Sequence, residues 1–390
     1  TGYNPETSRI MPLIFGVVSV GLIGILSYQI RSDKSFIFST LLASLSIYII
    51  KYSQELRPYT LLLMLSTLNM FLYLKLINNN FNILKKILLL FLFIWISLLN
   101  YSTNPFSLII LFSQITTSFY NFLFFKKRDN LFYISLIPTI FLYLIFNYEY
   151  INLQLSFDKY MLSSDIKNVF DGFYFPRFFG SKIMGYMYLI ILIILIILNK
   201  QKIFKKDINY FFLFVILINC YIIPLLYSLI KTPVLHDRYI IFILSPVFIL
   251  ISCLIMELSQ KNKLIVISFL LIFTLVNHFL EIFYREITKP EFNKIISSIQ
   301  SSPVKNIILY DPSPTIIVTF NYLKNLKTDI NKNLDIQKFK EHNVQHEYFW
   351  LVCYMPRVNF NCNLEFKNNI VIIDEKIGHL VNAKLIKFKN

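Results

Sequence analysis

Two nine-residue stretches hold most of the side chains able to grip an anion and orient the groups around it. One is Lys51-Tyr52-Ser53-Gln54-Glu55-Leu56-Arg57-Pro58-Tyr59, the other Lys231-Thr232-Pro233-Val234-Leu235-His236-Asp237-Arg238-Tyr239. Each sets an Arg beside a Tyr and an acid, just ahead of a long apolar run. Arg presents a planar fork of donors that matches phosphate oxygens. Pro58 suits the first turn of a helix, where its missing N–H costs nothing. Arg57 is therefore expected at a helix mouth, where free backbone N–H groups and the dipole already favour an anion. Glu55 can orient that guanidinium or face a cation, and Asp237 stands beside Arg238 in the same way. Two such mouths on one face would clamp a single anionic headgroup, with Lys51, Tyr59 and Tyr239 as further candidate ligands. A lipid phosphate suits this site, because its tail would lie between helices. The same residues also read as topology anchors, since Arg and Tyr collect at span ends. Charge content alone leaves both readings open.

The elements that must position these residues are set by composition. Of 390 residues, 56% are hydrophobic and 15% charged, and mean hydropathy is +0.58. A soluble chain carries about 25% charged residues and cannot hide so much apolar surface in one core. The chain is read as an α-helical polytopic membrane protein with a wetter C-terminal part. Ten apolar stretches reach or approach the ~17–25 residues a spanning helix needs: 11–30, 36–50, 58–77, 87–102, 105–125, 131–147, 183–199, 210–230, 240–257 and 264–283. The net charge of +16 is first a topology signal and second a hint of an anionic ligand; no nucleic acid partner is implied. One set of alternate loops, including Lys85, Lys86, Lys126, Lys127, Lys261 and Lys263, holds 14 basic residues against three acids. The other, including Lys51, Arg57, Lys231 and Arg238, holds nine against seven. The first set is expected in the cytoplasm, so both chain ends and both Arg stretches are expected outside.

Residues 1–283 are read as the membrane domain, with an outer loop at 148–182. Residues 284–390 are read as a small extracytoplasmic α/β domain. There Phe292, Ile295, Ile296 and Ile299 have helical spacing from Pro290, and NIILYD, EYFWLVCYM, NIVIID and AKLIKF read as strands. Cys353 and Cys362 fall in that domain, either bridged or as two separate thiols. No CxxC, HExxH or His cluster suggests a metal, and no cofactor is called for. The aromatic residues of 148–182, Tyr148 to Phe179, suit an acceptor platform, an interfacial helix or a plain interface belt. The chain opens at Thr1 without Met or a signal-peptide pattern, as expected of an N-terminally truncated fragment.

Four segments carry a resemblance. YSQELRPYTLLLMLS (52–66) looks like the ysqEaRpYsl stretch of glycosyltransferase family 39, the protein-mannosyltransferase-like and aminoarabinose-transferase-like branch of the GT-C superfamily. SRIMPLIFGVVSV (8–20), TPVLHDRYIIFILSPVFIL (232–250) and YREITKPEFNKIISSIQ…NIILYD (284–311) resemble further pieces of that family in the same order. The resemblance implies a GT-C-like bundle in a bacterial inner membrane. It implies an inverting hexosyl or pentosyl transferase that takes sugar from a polyprenyl-phosphate donor and passes it to a lipid-linked or protein acceptor. It places the acidic base in a first outer loop ahead of SRIMP, upstream of Thr1, and Asn104 in YSTNPF where the family often has His. Asn104 and Asp171 are the candidate acceptor-side groups, and no metal is assigned. Alternatives are a lipid-linked glycan transporter, which calls for ionisable residues near mid-span, or a catalytically dead copy serving as a membrane scaffold.

Overall fold

The structure is a computed structural model that describes residues 5–31, 34–78, 82–126, 129–149, 152, 175–230, 236–284, 291–304, 306–310, 335–338, 348–354, 370–378 and 381–388. It divides into two compact units, Arg9–Phe283 and Tyr284–Asn390 with Thr1–Ser8. In chain order the helices of the larger unit are α1 (Ile10–Ile30), α2 (Ser35–Ser44), α3 (Ile47–Ser53), α4 (Tyr59–Asn78), α5 (Ile83–Thr103), α6 (Leu108–Phe125), α7 (Asn130–Phe146), α8 (Lys182–Leu198), α9 (Ile208–Ile230), α10 (Leu244–Ile255) and α11 (Gln260–Tyr284). Short 3-10 turns stand at Pro105–Ser107, Phe175–Phe179 and Asp237–Ile243.

Seven of these helices, counting the turns that lead into α6 and α10, are long and apolar enough to cross a membrane. The chain is thus a multi-pass helical protein. Of the ten spans expected, the described helices show seven by length. Helices α2 and α3 qualify only as a pair, bent by 57°. Helices α7 and α8 have 17 residues each, ~26 Å at about 1.5 Å per residue, against a hydrocarbon core of ~30 Å. The bend has a local cause. Ser46 is extended (ψ 110°) and caps α3, its hydroxyl accepting from the Ile49 N–H at 3.4 Å, while His278 of α11 meets the Leu45 carbonyl freed there.

Burial follows composition. Helix α10 is apolar on every side and all twelve of its residues are buried, as a helix without a polar face requires. Helix α11 lies at the rim, with 17% of its apolar window buried. Because lipid tails are as apolar as Leu, helices in a bilayer are held by close packing and interhelical hydrogen bonds. Both are present. A Cβ on Gly16 would stand 2.1 Å from Ser53 Oγ, and one on Gly185 would stand 2.2 Å from Pro176 Cα, so α1 and α8 lie tight on α3 and on the Phe175–Phe179 turn. Between helices, Ser66 donates to Asn100 Oδ1 (2.9 Å), Gln114 to Asn69 Oδ1 (2.7 Å), Asn69 to Ser97 (2.7 Å) and Asn219 to Ser113 (3.0 Å).

The C-terminal unit pairs α12 (Phe292–Ser301) with strands β1 (Asn306–Tyr310), β2 (Asp335–Lys338), β3 (Tyr348–Tyr354), β4 (Ile370–Gly378) and β5 (Val381–Phe388) in the order β2-β1-β3-β5-β4. The β2, β1 and β3 strands run parallel, while β5 is antiparallel to both β3 and β4. Ile295, Ile296 and Ile299 of α12 close the core with Ile307, Trp350, Val352, Val381, Ala383 and Leu385. Cys362, which the sequence leaves either bridged to Cys353 or separate from it, lies outside the described residues.

Candidate functional site

The two Arg stretches meet at one end of the helical unit. Helix α3 ends at Gln54, whose N–H donates to Lys51 O (3.2 Å), and a tight turn with the Arg57 N–H on Glu55 O (2.8 Å) leads through Pro58 into α4. That short path leaves Lys51 and Tyr52 on the last turn of α3, Glu55 and Arg57 in the turn, and Tyr59 as the first residue of α4. From the other stretch, His236 is extended and the Tyr239 N–H returns to its carbonyl (2.9 Å). Asp237, Arg238 and Tyr239 therefore share one tight turn.

A file of aromatic rings joins these pieces. Phe178 meets Tyr48 edge-on at 5.0 Å, Tyr48 lies 4.7 Å from Tyr52, and Tyr52 meets Tyr59 at 4.9 Å. Tyr59 lies 6.5 Å from Tyr239, which stacks on Phe106 at 5.3 Å. The cations stand along this file. Lys51 Nζ is 5.7 Å from the Tyr52 ring and Arg238 Cζ is 5.3 Å from the Tyr239 ring. The charges of Arg57 and Arg238 both act on Tyr59. The two Arg residues thus come from segments 181 positions apart whose rings, Tyr59 and Tyr239, lie 6.5 Å from each other.

Two carboxylates balance three cations. Glu55 Oε2 lies 3.9 Å from Arg57 Nε, and Arg57 remains half exposed (51%). Asp237 is more enclosed, with its Oδ1 against His236 Nδ1 and accepting from the Arg238 N–H at 3.0 Å. Arg238 Nε is buried with no hydrogen-bond partner among the described residues. An orphaned guanidinium N–H is costly unless something accepts from it. The combination of one such donor, a half-exposed second Arg and a Lys suits an anion with several oxygens. Among the described residues, no three His, Cys, Asp or Glu side chains gather.

Of the residues read from the sequence, Arg57, Arg238, Tyr59, Tyr239, Lys51, Glu55 and Asp237 come together here. Asn104 is near but otherwise occupied: its Oδ1 accepts from the Phe106 N–H (2.9 Å) and so caps the turn that carries Phe106 onto Tyr239. Asp171 lies outside the described residues. Tyr48 and Phe106 were not singled out, while Phe178 was read only among the aromatic residues of 148–182 and His236 only as part of its stretch. Tyr48 alone had a signal, its four-residue spacing from Tyr52 along one helix face. Phe178 also lines a small pocket with Leu42, Ile47, Phe179 and Phe248, which continues the file into apolar surroundings.

The opposite end is marked by a second charge cluster, in which Glu257, just past α10, meets Arg31 and Lys202. In comparisons with protein-family models, curated proteins and solved structures, nothing matches this chain.

Proposed function

We propose that the helical unit is an inverting glycosyltransferase of GT-C type, acting at the outer face of a bacterial inner membrane. Its donor is a polyprenyl-phosphate-linked sugar and its acceptor a hydroxyl on a lipid or protein. The observation that carries this reading is that the Arg57 and Arg238 stretches meet at one end of the unit, with the Tyr59 ring 6.5 Å from the Tyr239 ring and Arg238 Cζ 5.3 Å from the latter. A prenyl phosphate leaving group needs fixed positive charge rather than a proton, and two guanidinium groups supply it as the glycosidic bond breaks. The resemblance of 52–66 and 232–250 to family 39 segments falls on the residues that form this cluster. The transporter reading gains less support. The groups hydrogen-bonded between α4, α5, α6 and α9 are neutral hydroxyls and amides, whereas moving a charged headgroup calls for ionisable partners along the path.

The test is release of radiolabelled sugar from hexosyl and pentosyl polyprenyl phosphates by purified protein in detergent. Arg57→Ala is expected to lower turnover by about 10²–10³-fold, the range seen on removing one donor from a charge-stabilising site. Equal turnover in wild type and variant removes Arg57 from the mechanism.

A further inference from the structure

The geometry points to Asn277 and His278 of α11 as positioning residues of the anion site, which hold α3 so that Lys51 and Tyr52 stay in the cluster. The inference rests on the lipid-phosphate reading above and adds the side chains that keep its site in shape. Helix α3 has seven residues, too few for a helix to be stable without outside support. It is set at 57° to α2, and whatever fixes that angle fixes where its last turn points. Lys51 lies six residues beyond Leu45. At about 1.5 Å per residue that is an arm of roughly 9 Å, so straightening the bend would carry Lys51 by roughly 8 Å.

Two consecutive side chains of α11 hold the backbone on either side of α3. At the bend, the Ile49 N–H turns to Ser46 Oγ (3.4 Å) and the Leu45 carbonyl is met by His278 Nε2. A carbonyl only accepts, so Nε2 carries the ring proton. Asn277 donates to the Phe179 carbonyl at 2.9 Å, where the Phe175–Phe179 turn gives way to Gly180. Gly180 has φ +81°, and a Cβ on it would stand 2.9 Å from Ile47 Cδ1, so this turn lies hard against the first residue of α3. One turn earlier on α11, Thr274 and Tyr188 of α8 share a hydrogen bond of 3.0 Å, which seats the stretch. Helix α11 is otherwise a rim helix, with 17% of its apolar window buried. An unpaired carbonyl is costly in a bilayer, which gives both bonds their hold. Their effect reaches the site through rings. Phe178, next to Phe179, meets Tyr48 at 5.0 Å, Tyr48 lies 4.7 Å from Tyr52, and Lys51 Nζ is 5.7 Å from the Tyr52 ring. His278 thus bears on the start of α3 directly, and Asn277 bears on its face through Phe178.

The test is a double-mutant cycle on binding of a fluorescent prenyl phosphate to purified protein in detergent. His278→Leu is expected to weaken binding about tenfold, within the range of coupling between residues of one network. His278→Gln, whose amide donates at similar reach, is expected to restore most of that loss. If His278 acts by placing Lys51, then His278→Leu combined with Lys51→Met costs less than the product of the two single losses. Combined with Arg238→Lys, on a separate segment, it costs the full product. Wild-type binding by His278→Leu overturns the assignment, as does a full product with Lys51→Met, or an equal shortfall with both partners, which would mean general loosening. Asn277→Leu, which loses only the Phe179 bond, is carried through the same cycle if His278→Leu is not recovered folded, with the same outcomes expected. Failure of the underlying reading looks different: Lys51→Met, Arg57→Ala and Arg238→Lys then all bind the probe like wild type, and the inference falls with it.

Discussion

At the scale of residues, the two arginines are unequal. Arg57 is half exposed and paired loosely with Glu55, so it can leave without disturbing the fold. Arg238 places one N–H in a buried position without an acceptor among the described residues and lies against Tyr239. A Lys there keeps the charge but loses the planar fork and the ring contact. Arg238→Lys is therefore expected to weaken binding of a prenyl phosphate by roughly tenfold, or about 1.4 kcal/mol, with thermal stability in detergent held within a few degrees. Titration of the quenching of a fluorescent prenyl phosphate measures it, and unchanged affinity would show that charge alone is used. These two residues were legible in the sequence because each Arg stands with a Tyr and an acid within two residues, just ahead of an apolar run. Their ring neighbours were not, because a contact such as Tyr239 on Phe106 joins residues 133 positions apart and depends on which helices pack. Asn104 shows the converse. Its position in a turn was plain, but whether the amide faced a substrate or its own backbone was decided by the local cap.

At the scale of elements, the apolar runs located every helix of the larger unit, since a segment with no polar face has few alternatives in lipid. What run length could not reveal was the break at Leu45 and Ser46, which a hydroxyl cap and a His from another helix impose. Nor did it reveal β2, whose four residues, DIQK, are too short to show a pattern. The interhelical polar bonds were equally hidden, because Ser and Asn inside an apolar run read as tolerated interruptions. They matter for assembly. Asn69 accepts from Gln114 of α6 and donates to Ser97 of α5, so it ties three helices together. Asn69→Leu removes both bonds and leaves Gln114 Nε2 unpaired at 0% exposure. At about 0.6–2 kcal/mol per interhelical bond, the variant is expected to lose ~1–4 kcal/mol. Its unfolding midpoint in detergent should fall while the affinity of folded protein for prenyl phosphate stays the same. A midpoint equal to wild type would mean that the amide is satisfied equally well by relaxation.

At the scale of the whole molecule, the open question is whether α7 and α8 cross the bilayer despite their 17 residues. Their ends argue that they do. Helix α7 begins where Asp129 accepts from Asn121 at the foot of α6, and it finishes where Asn147 donates to Ser102 at the last turn of α5 (3.0 Å). Ser102 lies two residues before Asn104, at the end that carries Tyr239 and Arg238. Helix α8 starts beside Phe178, which touches Tyr48 of the same end, and its exit leads to Lys202, which reaches Glu257 at the other. Both helices thus run from one end of the unit to the other, as the longer ones do. A short helix can still span if the bilayer thins slightly around it, at a cost of fractions of a kcal/mol per Å of mismatch. On that account the loops alternate sides all along the chain. The exposed positions Gln54 and Tyr148 share one side, and the exposed Asn262, between Lys261 and Lys263, lies on the other. From the basic surplus, Asn262 is expected on the cytoplasmic side. Single Cys placed at each position, in a background with Cys220, Cys253, Cys353 and Cys362 replaced, tests this with a membrane-impermeant thiol reagent. Gln54→Cys and Tyr148→Cys are expected to label in intact cells, and Asn262→Cys only after permeabilisation. Labelling of Tyr148→Cys together with Asn262→Cys would mean that α7 and α8 turn back without crossing. Their contacts at the Arg57 end could then not form in a bilayer, and the site built on Tyr48 and Phe178 would lose one wall.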